Sequence, residues 1–330
     1  MKPVAELLAG FRQNNFVVVG RAGMDFFPDP AGTKTEDATV FRSSLGGSAA
    51  NTAAGICKLG GQSALVTRVS DDSIGRYAVN QLKHYGVDAT HVTPVGGEFR
   101  NSLAVYESRI EDHQSVIYRN GAADFQMNTA DVEAVDFGAY GALITAGTVF
   151  AAEPSRTAAF LAFDLAAKTG LPIVFDVDYR PYSWPSAQVA SDVLSRAADQ
   201  SDMIVGNDEE FGFMAGGIEK GLEKARELAR NSAAIVVYKM GPEGAITFTG
   251  DQEIRTGIYA VEALKPTGAG DSFMAGLMTG LAGQLPLAQA ILRASACASV
   301  TVSKPGCAPA MPDTKTLEDF LAGHPGPTSA

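Results

Sequence analysis

Pro266-Thr267-Gly268-Ala269-Gly270-Asp271-Ser272-Phe273 runs straight into the apolar-periodic segment Met274-Ala275-Gly276-Leu277-Met278. The pattern predicts a tight, side-chain-poor turn that opens a helix, with a carboxylate at the helix start. Glycines let the backbone approach a ligand closely. The unpaired N–H groups of a first helical turn, at the positive end of the helix dipole, then form an anion site. A carboxylate there would repel a phosphate unless it serves chemistry, taking a proton from a hydroxyl while the N–H groups hold charge on a transferred phosphoryl group. The same residues also read as a loop followed by an ordinary Asp N-cap. A dinucleotide fingerprint would need a third glycine where Phe273 stands, and no Gly-x4-Gly-Lys-Ser/Thr loop occurs in the chain.

Outward from this turn, the chain alternates short apolar runs with helical patterns. Phe16–Gly20, Ala64–Thr67, Ala142–Thr145, Pro172–Asp176, Asp202–Val205 and Ala234–Val237 read as buried strands. Helices are expected near residues 74–84, 154–168 and 187–198, and between the last strands. Buried strands separated by helical crossovers imply a mostly parallel sheet covered on both faces, with the ligand beyond the carboxyl ends of the strands. Residues 33–44 and 99–120 break the rhythm with partial two-residue alternation, as in Ser102–Glu107 and Gln114–Arg119. They are expected to form antiparallel strands outside the main sheet, as a lid, as a surface that pairs two subunits, or as both.

Composition narrows the classes of function. The 330 residues are 46% hydrophobic and 19% charged, enough for one large core. A formal net charge of -11 argues against nucleic acid or an anionic membrane surface as partner. No apolar run approaches the roughly 20 residues of a membrane span, and Met1-Lys2-Pro3 lacks the apolar core of a signal peptide. Cys57, Cys297 and Cys307 form no C-x-x-C pair and leave one thiol over in any disulfide scheme, so a reducing, cytoplasmic location is expected, with Cys57 in the core. His84, His91, His113 and His324 lack metal-ligand spacing.

Three further clusters follow predicted strands or open helices. They are Gly20-Arg21-Ala22-Gly23-Met24-Asp25, Gly46-Gly47-Ser48-Ala49-Ala50-Asn51 and Gly206-Asn207-Asp208-Glu209-Glu210. Each alone reads as a turn or cap, but together they lie at one side of one sheet. With Thr267-Gly268-Ala269-Gly270-Asp271 they resemble the signatures of PfkB-type, ribokinase-like carbohydrate kinases, a resemblance that runs from about residue 16 to 312. It implies a three-layer α/β/α fold with a mostly parallel sheet and a small β-strand lid, in a single domain over 14–322; the Pro- and Gly-rich end of the chain, over 323–330, is expected to be disordered. The resemblance implies Asp271 as the base, with Gly268, Ala269 and Gly270 as the anion hole. Asp25, Gly46, Gly47 and Asn51 would hold sugar hydroxyls. Asn207, Lys239, Gly241, Gly244, Thr267 and Gly270 would contact ATP, and Glu210 with Asn207 would order Mg²⁺.

Within that family, Gly20-Arg21-Ala22-x-x-Asp25, Tyr118-Arg119-Asn120, Asp176-Val177-Asp178-Tyr179-Arg180-Pro181-Tyr182-Ser183-Trp184, Leu264-Lys265-Pro266 and Ala310-Met311-Pro312 resemble the branch that phosphorylates 5-dehydro-2-deoxygluconate in inositol catabolism. The Asp-x-Asp-x-Arg-Pro run is also similar to kinases of 2-keto-3-deoxygluconate. A fructokinase or ribokinase, or a non-catalytic sugar or nucleotide sensor on the same fold, are the other readings. A sugar-acid substrate calls for fixed cations, and Arg21, Arg119 and Arg180 are the candidates because guanidinium pairs a carboxylate bidentately. Each also reads as a structural ion pair. Most relatives carry Asp-Thr where this chain has Lys265-Pro266, and that acidic residue usually helps hold a monovalent cation. Here the cation site stays open: Lys265 either supplies the positive charge itself or points to solvent. A homodimer through the lid strands is expected.

Overall fold

The computed structural model describes residues 2–328. In chain order the strands are β1 (Asn15–Val19), β2 (Gly23–Pro28), β3 (Phe41–Gly46), β4 (Gln62–Ser70), β5 (Val92–Val95), β6 (Leu103–Tyr106), β7 (Ser115–Tyr118), β8 (Ala142–Ala146), β9 (Ile173–Asp176), β10 (Met203–Asn207), β11 (Ile235–Lys239), β12 (Ala245–Thr249) and β13 (Gln252–Thr256). The α-helices are α1 (Val4–Phe11), α2 (Ser48–Lys58), α3 (Ser73–His84), α4 (Thr129–Glu133), α5 (Ser155–Lys168), α6 (Ala187–Asp199), α7 (Asp208–Ala215), α8 (Gly221–Asn231), α9 (Ala269–Ala282), α10 (Leu287–Val302) and α11 (Thr314–Gly323).

Nine strands form the main sheet in the order β13-β12-β11-β10-β9-β8-β1-β4-β5. Every pairing from β11 to β5 is parallel, and β12 and β13 close one edge antiparallel. Successive side chains of a strand point to opposite faces, so one apolar run feeds two cores. Phe16 and Val18 of β1 pack with α1, α2, α9 and α10, whereas Val17 and Val19 pack with α4 to α8. Ile235 and Val237 against Val236 repeat the pattern in β11. This is the α/β/α sandwich expected from the sequence. Among the described residues no helix is long and apolar enough to cross a membrane.

A second sheet, β3-β2-β6-β7, stands apart from the first. Strands at Leu103–Tyr106 and Ser115–Tyr118 fall inside the expected 99–120 segment. The other lid segment differs: residues 33–40 carry only a 3-10 turn at Thr35–Asp37, and the strand begins at Phe41. Its partner is Gly23–Pro28, which the sequence presents as a post-strand turn. The run Lys34-Thr35-Glu36-Asp37 offers no apolar side chain to a sheet face, whereas Met24, Phe26, Phe27 and Pro28 surround Asp25 with apolar residues on both faces. Cys57, expected in the core, is half-buried with its Sγ 3.2 Å from Ser63 Oγ. Of the tail expected to be disordered, Thr328 donates its N–H to the Ile258 carbonyl at 2.7 Å, and residues 329–330 lie outside the described residues.

Candidate active site

A cleft of about 950 Å³ opens where β1, β9, β10 and β11 end, between the N-terminus of α9 and the lid. Arg21 follows β1, Asp176 ends β9, Asn207 ends β10 and Lys239 ends β11, so the parallel sheet delivers four polar groups to one rim. Asp25 of β2, Tyr106 of β6 and Ile117 of β7 face the cleft from the lid.

At the centre, Asp271 is the third residue of α9. The N-cap position belongs to Gly268, at φ 85°, and no side chain caps this helix. The reading of Asp271 as an ordinary N-cap is therefore overturned. Among the described residues its one side-chain partner is Asn51, whose Nδ2 donates to Asp271 Oδ2 at 3.0 Å. Helix packing sets that distance. A Cβ on Gly55 would stand 2.7 Å from the Ala275 Cβ, so α2 and α9 nearly touch there. Asn51 and Asp271 lie one turn earlier on each helix, and close approach of the two axes brings them together. Burial, with Asp178 nearby, pushes the Asp271 carboxyl up to about 6 against the pull of Asn51, Arg180 and Arg21. Among the described residues, the N–H groups of Gly270 and Asp271 have no backbone acceptor. They are donors available to an anion in front of the helix.

Toward the lid, Asp25 is buried with Oδ1 unpartnered, and burial pushes its carboxyl up to about 7. Gly46 sits behind it: a Cβ at that position would lie 2.0 Å from Asp25 Oδ1. Gly47 at φ 98° precedes α2, where a Cβ would meet the Arg21 carbonyl at 2.3 Å. Asn51 Oδ1 is likewise buried and unpartnered.

The three arginines all line the cleft but differ in their partners. Arg119 gives Nε and Nη2 to Asp124 Oδ2 at 3.1 and 2.5 Å and lies 4.1 Å from the Phe125 ring centroid. Arg180 pairs with Asp178 at 2.8 Å, and with Ser48 and other cations it holds that carboxyl below its ordinary range despite burial. Arg21 forms no ion pair among the described residues. It is 7% exposed, and its Nη1 donates to Ser102 Oγ at 2.8 Å.

At the other end, Asn207 and Glu210 form a reciprocal capping box on α7: Glu210 N–H donates to Asn207 Oδ1 and Asn207 N–H to Glu210 Oε2, both at 2.8 Å. Glu210 thus has a structural duty that the sequence did not assign to it. Asp176, which sequence reading left without a role, lines the same wall. Its carboxyl is pushed up by burial and by Glu210, against Lys239. The signal was in the sequence: an Asp-x-Asp-x-Arg run directly after a buried strand. Lys239 Nζ lies 3.7 Å from where a Gly270 Cβ would be, so the ammonium stands directly beside the start of α9. Gly241, Gly244, Thr267, Gly268 and Ala269 complete this end, beside an apolar wall that includes Ile258, Val261, Ile291 and Val302. Lys265 does not reach the cleft. It is fully buried beneath the turn, and the reading that points it to solvent is overturned.

Comparison with known proteins follows the same lines. Residues 13–314 match the model of the pfkB family carbohydrate kinases. The 5-dehydro-2-deoxygluconokinase of Geobacillus kaustophilus is 35% identical over 94% of both chains. That of Photobacterium profundum is 34% identical over 92% of this chain and 94% of its own. Among solved structures, a fructokinase from Vibrio cholerae with fructose, ADP and calcium ion bound superposes with a TM-score of 0.83 at 25% identity, covering 94% of this chain and 99% of its own.

Proposed function

The chain belongs to the pfkB family of carbohydrate kinases and is a sugar kinase of a family that binds ATP, and from that premise we propose that its substrate is a small sugar acid, 5-dehydro-2-deoxygluconate. The observation that carries this reading is Arg21. A guanidinium that is 7% exposed, lines the cleft and lacks a carboxylate partner among the described residues is an incomplete ion pair. Buried charges are normally paired, and a substrate carboxylate completes this one bidentately. Arg119 and Arg180 already have Asp124 and Asp178, so they shape the site. Relatives named for 5-dehydro-2-deoxygluconate support the choice among sugar acids.

In this reading Asp25 Oδ1 and Asn51 Oδ1, buried acceptors without donors, take hydrogen bonds from sugar hydroxyls. Asp271 accepts the proton of the reacting hydroxyl. The N–H groups of Gly270 and Asp271, with Lys239, hold the charge that builds on the transferred phosphoryl group. Asp176 and Glu210 present carboxylate oxygens on one wall, and Asp176 accepts no hydrogen bond among the described residues. Hard oxygen donors, two in number, suit a hydrated Mg²⁺ that keeps most of its waters. When bound, the ion offsets charge on the ATP phosphates. Phe41, Val116 and Tyr118 leave exposed apolar surface on the lid, which in this reading pairs with a second copy of the chain. An ADP-release screen over 5-dehydro-2-deoxygluconate, 2-keto-3-deoxygluconate, fructose and ribose tests the substrate. Turnover confined to the neutral sugars would overturn the assignment.

A further inference from the structure

Lys265 is fully buried, beneath the turn that opens α9. Its segment is pinned to α10: the N–H groups of Leu264 and Lys265 donate to the Val302 carbonyl at 2.8 and 3.2 Å. Its Nζ donates to the Thr267 carbonyl at 2.5 Å and to the Thr301 carbonyl at 3.3 Å. Thr301 lies in the last turn of α10, where the helix dipole favours a cation, and its carbonyl accepts the Ser303 and Lys304 N–H groups as well as the ammonium. Thr267 is the residue four before Asp271. If α9 began one turn earlier, the Thr267 carbonyl would accept the Asp271 N–H. The ammonium takes that carbonyl instead, and the Asp271 and Gly270 N–H groups are left without backbone acceptors.

We propose that Lys265 is the built-in cation of the phosphoryl-transfer site: its ammonium, held between the Thr267 and Thr301 carbonyls, keeps the turn open so that the Gly270 and Asp271 N–H groups face the transferred group, and it removes any need for a bound monovalent ion. The inference rests on the sugar-kinase reading but not on which sugar is used. Lys265 is a positioning residue that acts through the backbone. The titratable groups facing it are Cys307, Asp271 and Asp25. Burial pulls its pKa below the ordinary lysine range, and those three groups hold it up. An ammonium and a metal ion cannot occupy the same point between two carbonyls, so the parent protein has no place there for potassium.

The test is turnover of the parent protein in potassium and in tetramethylammonium at equal ionic strength, with equal rates expected. Strong activation by potassium would overturn the proposal, and this arm needs no variant. Lys265→Ala is expected to lose roughly 10²-fold in kcat, the scale set by ångström misplacement of reacting groups, with the sugar KM little changed. Potassium, ammonium or methylammonium should restore part of that loss in the Ala variant. Lys265→Met, which fills the space, should not be restored. A Lys265→Ala protein with parental kcat, or a loss no cation repairs, contradicts the proposal. ATP affinity by calorimetry in the same buffers reads the anion site without any sugar, so failure of the sugar assignment stays distinguishable from failure here.

Discussion

Replacing Asp271 with Asn separates a catalytic base from a structural cap, because the two readings predict opposite changes in stability. Asn keeps the size and can still meet the Asn51 amide, but it cannot take a proton. Loss of a general base is typically worth ~10²–10⁴ in rate, or about 3–5 kcal/mol in the barrier. Stability should move the other way. The native fold raises the Asp271 carboxyl from 3.8 to about 6, so the protonated form is favoured in the fold. That advantage is complete below about pH 4 and is lost as pH rises through about 6. At about 1.4 kcal/mol for each pH unit between the two values, the ionised carboxylate destabilises the native state at neutral pH by up to about 3 kcal/mol. Asp271→Asn should therefore raise the thermal midpoint near pH 8 by about 2–4 °C, and the gain should vanish near pH 4. An N-cap Asp would instead lose about 0.5–2 kcal/mol on replacement. Calorimetric scans at the two pH values, with turnover measured alongside, decide it. A less stable Asn variant, or one that turns over within a few fold of the parent, would refute the reasoning.

Other expectations follow from the same geometry. The rate of the parent protein should rise with pH through about 6 as Asp271 ionises, with burial and Asp178 raising the midpoint against Asn51, Arg180 and Arg21; a flat profile from about pH 5 to 8 would remove Asp271 from the base role. Gly55→Val should cost about 1–3 kcal/mol of stability by overpacking α2 against Ala275, and it should also depress kcat by parting Asn51 from Asp271. Urea unfolding and initial rates check both effects. Light scattering should return the mass of two chains, and Tyr118→Lys with Val116→Lys should return the mass of one; a parent protein that runs as one chain contradicts the lid interface.

The sequence carried the layers of this fold and the membership of the cleft, because both rest on local patterns. Runs such as Phe16–Val19 and Ile235–Val237 announce buried strands, and glycine clusters at their ends announce close backbone approach. The edge hairpin of β12 and β13 is legible too, through alternation around Gly250-Asp251. What the sequence lacked was pairing across the chain. Three arginines look alike in one dimension. Only the fold gives Arg119 to Asp124 and Arg180 to Asp178 and leaves Arg21 with a serine 81 residues away. Lys265 is decided by the Thr301 carbonyl, which α10 brings back from 36 residues on. The elevation of Asp176 depends on burial and on Glu210, which α7 brings in from 34 residues on, against Lys239 at the end of β11.

The most direct test of the account is the ratio of kcat/KM for 5-dehydro-2-deoxygluconate to that for its neutral analogue, measured in the parent and in Arg21→Ala, Arg119→Ala and Arg180→Ala. If Arg21 alone awaits the substrate carboxylate, its removal should erase about 1.5–3 kcal/mol of preference, a drop in the ratio of about 10- to 150-fold. The ratio should change much less for the other two variants, even where overall activity falls. Equal losses toward acid and neutral sugars in Arg21→Ala, with the ratio unmoved, would contradict the claim that this cleft is built for a sugar acid.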